Sequence, residues 1–181
     1  MRKRRDDNPK SILTHDTIEL ASGLVDQRRY RQAFRLLLKA GRKGESAAFL
    51  NLGHAYDVGE GIRKSKRKAL YWYARALDAG DTAAAHNIAT VYRDRGDVVR
   101  AIRWLLRAVA LGESGSNLEL GQLLLSRLGQ PDEALACFRA VGSQESAADI
   151  EAAKTWAAVA EGLIASRGRP QDNEMPPATD G

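Results

Sequence analysis

The chain has one cysteine, Cys137, among 181 residues. A single cysteine permits neither an intramolecular disulfide nor a cysteine-rich zinc site. It fits a reducing compartment, so a cytoplasmic location is expected. No apolar run approaches the roughly 18 residues of a membrane-crossing helix. The N-terminus, MRKRRDDNPKSILTHD, starts basic. It lacks the apolar region of roughly 7–15 residues that a secretory signal needs, so none is assigned. Catalytic signatures are missing as well: there is no Gly-x-Ser-x-Gly, no His-Glu-x-x-His, and no cysteine with a convincing histidine partner. His15, His54 and His86 show no conventional metal-binding spacing. The expectation is a protein that is not an enzyme, with no catalytic residues, no metal and no cofactor.

Charge is present in plenty and is uneven. Residues 1–80 hold 18 Lys/Arg and 9 Asp/Glu, while residues 81–181 hold 10 and 14. Such asymmetry steers an acidic partner to one end or simply solubilises the surface. The densest basic stretch is Arg63, Lys64, Lys66, Arg67 and Lys68, just after Gly59-x-Gly61. A phosphate-binding loop places its glycines after a strand. Here they follow a helical pattern, which makes them turn residues. Basic residues at a helix start are mildly unfavourable. The cluster is therefore either a solvated turn or a salt-sensitive contact for an acidic partner or nucleic acid.

The sequence repeats itself. Leu52-Gly53-x-x-Tyr56 recurs as Ile88-Ala89-x-x-Tyr92, and Ala69, Trp72, Ala76 and Gly80 recur as Ala101, Trp104, Ala108 and Gly112. The two offsets differ by four residues, an insertion within GEGIRKSK. Weaker copies start at Leu20-Ala21 and Leu120-Gly121. Each unit is expected to be a helix–turn–helix. Small residues (Ala21, Gly53, Ala89, Gly121) allow close approach, and large ones (Tyr56, Trp72, Tyr92, Trp104) fill the gaps. The predicted pairs are 14–26/30–41, 47–58/66–79, 83–95/98–111 and 116–128/131–141. Asp81 or Thr82, Ser65 and Asp97 are candidate helix caps, and Pro131 is a plausible first helical residue. Cys137 reads as a small core residue. Segment 146–165 reads as a ninth helix with Ile150, Trp156, Val159, Leu163 and Ile164 on its apolar face.

These residues carry a family likeness. The chain resembles the tetratricopeptide-type repeat superfamily over about residues 14–142. Residues 48–80 are similar to its Sel-one-like subclass through Ala48, Leu52-Gly53, Tyr56, Gly59-x-Gly61-Ile62, Lys68-Ala69, Trp72-Tyr73, Arg75-Ala76 and Gly80, with Ser65 where Asp is usual. The resemblance implies an all-α, right-handed α-solenoid of about four repeats. The organisation expected is a basic disordered arm (1–13), a repeat array (14–145), a C-terminal capping helix (146–166) and a disordered tail (167–181). It also implies an adaptor or scaffold that binds a peptide or partner protein in a concave groove lined by the first helix of each pair. The secreted branch of the subclass pairs cysteines within each repeat; their absence points to an intracellular relative.

The repeat register sketches that groove. Residues flanking each Leu-Gly-like pair face inward: Glu19 and Ser22, Asn51 and His54, Asn87 and Thr90, Glu119 and Gln122, with Arg93 one turn beyond Thr90. Asn51 and Asn87 offer a peptide backbone both a donor and an acceptor. Aromatics Trp72 and Trp104 repeat at the core interval and read as packing; Tyr71 reads as exposed. The competing reading is an electrostatic binder of nucleic acid or another polyanion, working through the basic N-terminal half.

Overall fold

The computed structural model describes residues 9–167, with side chains from Thr17 onward. The parts of the expected arm and tail at 1–8 and 168–181 lie outside the described residues. Nine α-helices and no strand are found among the described residues: α1 (Pro9–Asp26), α2 (Tyr30–Arg42), α3 (Phe49–His54), α4 (Lys66–Asp78), α5 (Ala83–Asp94), α6 (Val98–Ala110), α7 (Ser116–Leu128), α8 (Pro131–Arg139) and α9 (Ala147–Arg167). The predicted pairs are present. Helix α1 is described from Pro9, ahead of the expected residue 14. The helix expected at 47–58 is composite. A 3₁₀ turn at Ser46–Ala48 leads into α3, which ends in a π turn at Ala55–Gly59.

The helix ends follow local chemistry. Asp97 accepts from the Arg100 amide (3.1 Å) and Ser65 from the Lys68 amide (3.4 Å), so both cap as expected. Thr82 does not. Its backbone is helical at the capping position, and its hydroxyl bonds the Glu113 carboxylate instead. Most helices are followed by a left-handed residue: Gly44, Gly80, Gly96, Gly112 and Gly129 after α2, α4, α5, α6 and α7, but Arg28 (φ 58°) after α1.

The chain forms two compact units, Met1–Ser116 and Asn117–Gly181. In the first, α1 packs on α2, α3 on α4 and α5 on α6, while α2–α3 and α4–α5 contacts join successive pairs. Gly53 lies so close to the Tyr73 ring that a Cβ there would overlap it. Tyr73 is accordingly 1% exposed. Trp72 is buried against Phe49 (5.7 Å between ring centres) and Gly41, whereas Tyr71 beside it is 57% exposed. Tyr56 meets Phe34 edge to face at 5.3 Å, locking the second pair to the first. Each such aromatic contact adds on the order of 1 kcal/mol beyond simple burial.

In the second unit, Gly121 of α7 faces the Phe138 ring of α8, where a Cβ would come within 2.5 Å of it. Helix α9 packs on α8. Its buried stripe is Ala153 and Ala160, with Trp156 stacked on Phe138 at 6.3 Å. The expected apolar face therefore holds only in part. Val159 and Leu163 are exposed, because close packing on α8 uses the small side chains one helical face away.

Candidate functional site

In the first unit a cavity of about 270 Å³ lies among α1, α2 and α3. Its walls are apolar: Ile18, Ala21 and Val25 of α1, Ala33, Phe34 and Leu37 of α2, and Ala55 after α3. Its polar lining is Ser22, Tyr30, Asn51, His54 and Glu60. The physical origin is the π turn and the small residues around it. Ala21, Ala33 and Ala55 leave space between the first pair and the second that longer side chains would fill. Asn51 and His54 are exposed and stand one helical turn apart. The Asn51 amide donates back to the Ala47 carbonyl (3.3 Å). An apolar cavity ringed by a few convergent polar groups suits one anchoring side chain and its adjoining backbone.

The other groove candidates fall elsewhere. Asn87 and Thr90 are half-buried on α5, and Arg93 is exposed near its end with its guanidinium on Asp94 (3.4 Å). His86 Nδ1 shares a hydrogen bond with Ser116 Oγ (2.9 Å). Glu119 and Gln122 are half-buried on α7 in the second unit. No cluster of three or more His, Cys, Asp or Glu suited to a metal occurs among the described residues. Burial, and then the Glu133 charge, push the Cys137 thiol above its ordinary pKa, which disfavours the reactive thiolate.

The basic cluster divides into three kinds of residue. Lys66 bridges Asp57 of the second repeat (2.5 Å) and Asp94 of the third (2.7 Å). Burial works against its charge, but hydrogen bonds to both carboxylates and their charges outweigh this and raise its pKa. The same hydrogen bond from Lys66, against some desolvation, lowers the pKa of Asp94. Lys68 lies over the Tyr56 ring at 5.2 Å. Arg63, Lys64 and Arg67 are exposed and make no hydrogen bond or ion pair among the described residues. Thus Lys66 holds repeats together, Lys68 packs, and three of the five basic residues remain open to a partner.

The inserted turn has a structural task too. Gly61 (φ +72°) presses against the Tyr30–Arg31 backbone, where any Cβ would collide. Beside that contact Arg31, Arg35 and Arg63 border an open recess of about 720 Å³ with Phe34 and Ile62. Within-repeat register missed Tyr30, Glu60, Arg31 and Arg35, since each reaches its site only across a repeat boundary. One signal was available: every charged residue from 27 to 44 is basic.

The Sel1 repeat family matches residues 22–45 and 46–81. A tetratricopeptide repeat family matches residues 84–119. No curated protein sequence matches the chain. Among solved structures it is similar to a Sel1 repeat protein from Oxalobacter formigenes (21% identity, 73% of this chain, 64% of that one, TM-score 0.57). It is also similar to YrrB, a TPR protein with an unusual peptide-binding site (26% identity, 84% of this chain, 78% of that one, TM-score 0.60). A third is c5321, a protective antigen of uropathogenic Escherichia coli strains displaying an SLR fold (17% identity, 93% of this chain, 50% of that one, TM-score 0.59). The chain thus spans under two thirds of the first of these and half of the last. These likenesses place the fold in the α-solenoid class.

Proposed function

The chain belongs to the tetratricopeptide-type repeat superfamily and carries two Sel1 repeats, and from that premise we propose a non-catalytic adaptor that binds a peptide segment of a partner protein on its first-helix face. Repeat proteins of this type are typically protein–protein interaction scaffolds. The observation that carries the finer reading is the cavity lined by α1, α2 and α3, apolar within and edged by Ser22, Asn51 and His54. The likeness to YrrB, a TPR protein with a peptide-binding site, supports a peptide as the ligand. One apolar side chain of the peptide enters the cavity. Its backbone then meets the Asn51 amide, which can donate and accept at once.

A displayed random-peptide library tests this. Peptides selected on the intact protein should share an apolar anchor. They should lose roughly tenfold in affinity on Ser22→Trp, which plugs the mouth from an exposed position. Asn51→Ala should cost a smaller factor, with helicity unchanged by circular dichroism. Selected peptides that bind both variants as well as the parent would place the site off this face.

A further inference from the structure

The recess beside the inserted turn is a second surface, distinct from the apolar cavity though Phe34 borders both. Arg31 and Arg35 rise from α2 and Arg63 from the turn. All three are exposed, and the described residues give none of them a hydrogen bond, ion pair or ring contact. Glu60, the nearest acid in sequence to Arg63, lines the apolar cavity instead.

This arrangement works against the stability of the free protein. Arg31 lies in the first turn of α2, where the helix dipole disfavours a cation. Arg31 and Arg35 are four residues apart, so like charges stack on one helix face. Arg28 adjoins them, bordering a shallow hollow with Arg29, Arg31 and Gly61. It keeps a charged side chain in the left-handed conformation that glycine takes after α2, α4, α5, α6 and α7. Unpaired guanidiniums gathered around an apolar floor become favourable once carboxylates neutralise them, since each guanidinium can grip a carboxylate with two hydrogen bonds.

From this we infer that the Arg31–Arg35–Arg63 recess docks an acidic peptide segment of a partner protein. The arginines pair with its Asp or Glu carboxylates, and Ile62 with the edge of Phe34 meets an intervening apolar side chain. A peptide fits better than nucleic acid. The recess is bounded by one helix and one turn rather than an extended phosphate track, and its single aromatic residue, Phe34, is buried and offers no stacking face.

The test uses fluorescence anisotropy on the full chain with a labelled short peptide of Asp and Glu around one Leu. A Gln/Asn version of that peptide and a labelled single-stranded DNA of equal charge serve as comparisons. The acidic peptide should bind, and its Gln/Asn version should not. Replacing Arg31, Arg35 and Arg63 by Gln should weaken acidic-peptide binding roughly tenfold or more. Replacing the exposed Arg67, Arg95 and Arg103 by Gln should change it less than about twofold, as exposed charges away from a site do. Ser22→Trp should leave this binding intact, which separates it from the apolar cavity. Equal losses in both triple variants, no binding by the parent chain, or DNA bound through the three arginines in preference to the peptide would each overturn the inference.

Discussion

The second and third repeats share one spacing and close their turns differently. Ala69, Trp72 and Ala76 of α4 correspond to Ala101, Trp104 and Ala108 of α6, and the alanines are fully buried in both. The third repeat turns through Gly96 straight into the Asp97 cap. The second adds a π turn and a loop that leans on the start of α2. Trp72, packed on Phe49 and Gly41, is 7% exposed, while Trp104 stays half-buried beside Arg107. The extra residues thus act as a strap over the preceding repeat. The scaffold of a helix pair is generic, whereas the turn decides how tightly one pair holds its neighbour.

The largest expected contrast is at the tryptophans. Trp72→Ala should destabilise the first unit by about 4 kcal/mol, and Trp104→Ala by about half of that, in urea titrations followed by circular dichroism. Equal losses would mean that the deeper burial of Trp72 adds no stability. Next come the glycines. Gly61→Ala meets both a left-handed backbone and the Tyr30–Arg31 main chain, so about 3 kcal/mol is expected. Gly96→Ala has open space around it and should cost only about 1 kcal/mol. Matching shifts in melting temperature would remove the distinction between strap and plain turn.

The ion pairs sharpen the comparison further. Lys66→Met leaves the buried Asp57 carboxylate without its cation and should cost about 2 kcal/mol. Arg100→Met breaks an exposed pair with Asp97 and an exposed contact over the Tyr92 ring, and should cost under about 1 kcal/mol. The pH dependence has a definite sign. Asp94 has a lowered folded pKa, so its share of stability is complete above the ordinary carboxylate value and is lost as pH falls through the lowered one. Lys66 has a raised folded pKa, so its share is complete below the ordinary lysine value and is lost as pH rises through the raised one. The alkaline melting profile of the Lys66→Met protein should lack its loss, and the acid profile should show a smaller one, because Arg93 still pairs with Asp94. The smallest effects are the caps. Asp97→Ala should cost about 1 kcal/mol and Ser65→Ala about 0.5 kcal/mol, the latter because its 3.4 Å bond is long.

Much of the fold was legible because its signals are local. The Leu-Gly-like spacing marked every helix pair, the Trp-Ala spacing the second and third, and Pro131 and Asp97 marked two helix starts. Thr82 misled because a residue more than thirty positions away, Glu113, competes for its hydroxyl. Val159 and Leu163 misled because apolar periodicity cannot tell which face of α9 meets α8. Register placed Asn51 and His54 on one face of α3, but not the cavity that they line with α1. Its existence depends on how two pairs are offset, which no single repeat encodes.

By itself, the sequence determined the class of fold, the helix pairs and the stripe of small and large residues that lets them pack. These follow from contacts within about four residues or between adjacent helices, where the chain has few alternatives. Only the tertiary structure decided which charges are occupied and which are open. Lys66 looked like one of five equivalent basic residues until packing set it between Asp57 and Asp94. Arg31 and Arg35 meet Arg63 only because the turn at Gly61 brings it alongside them. An electrostatic role is fixed by distance and burial together, and both are properties of the folded chain.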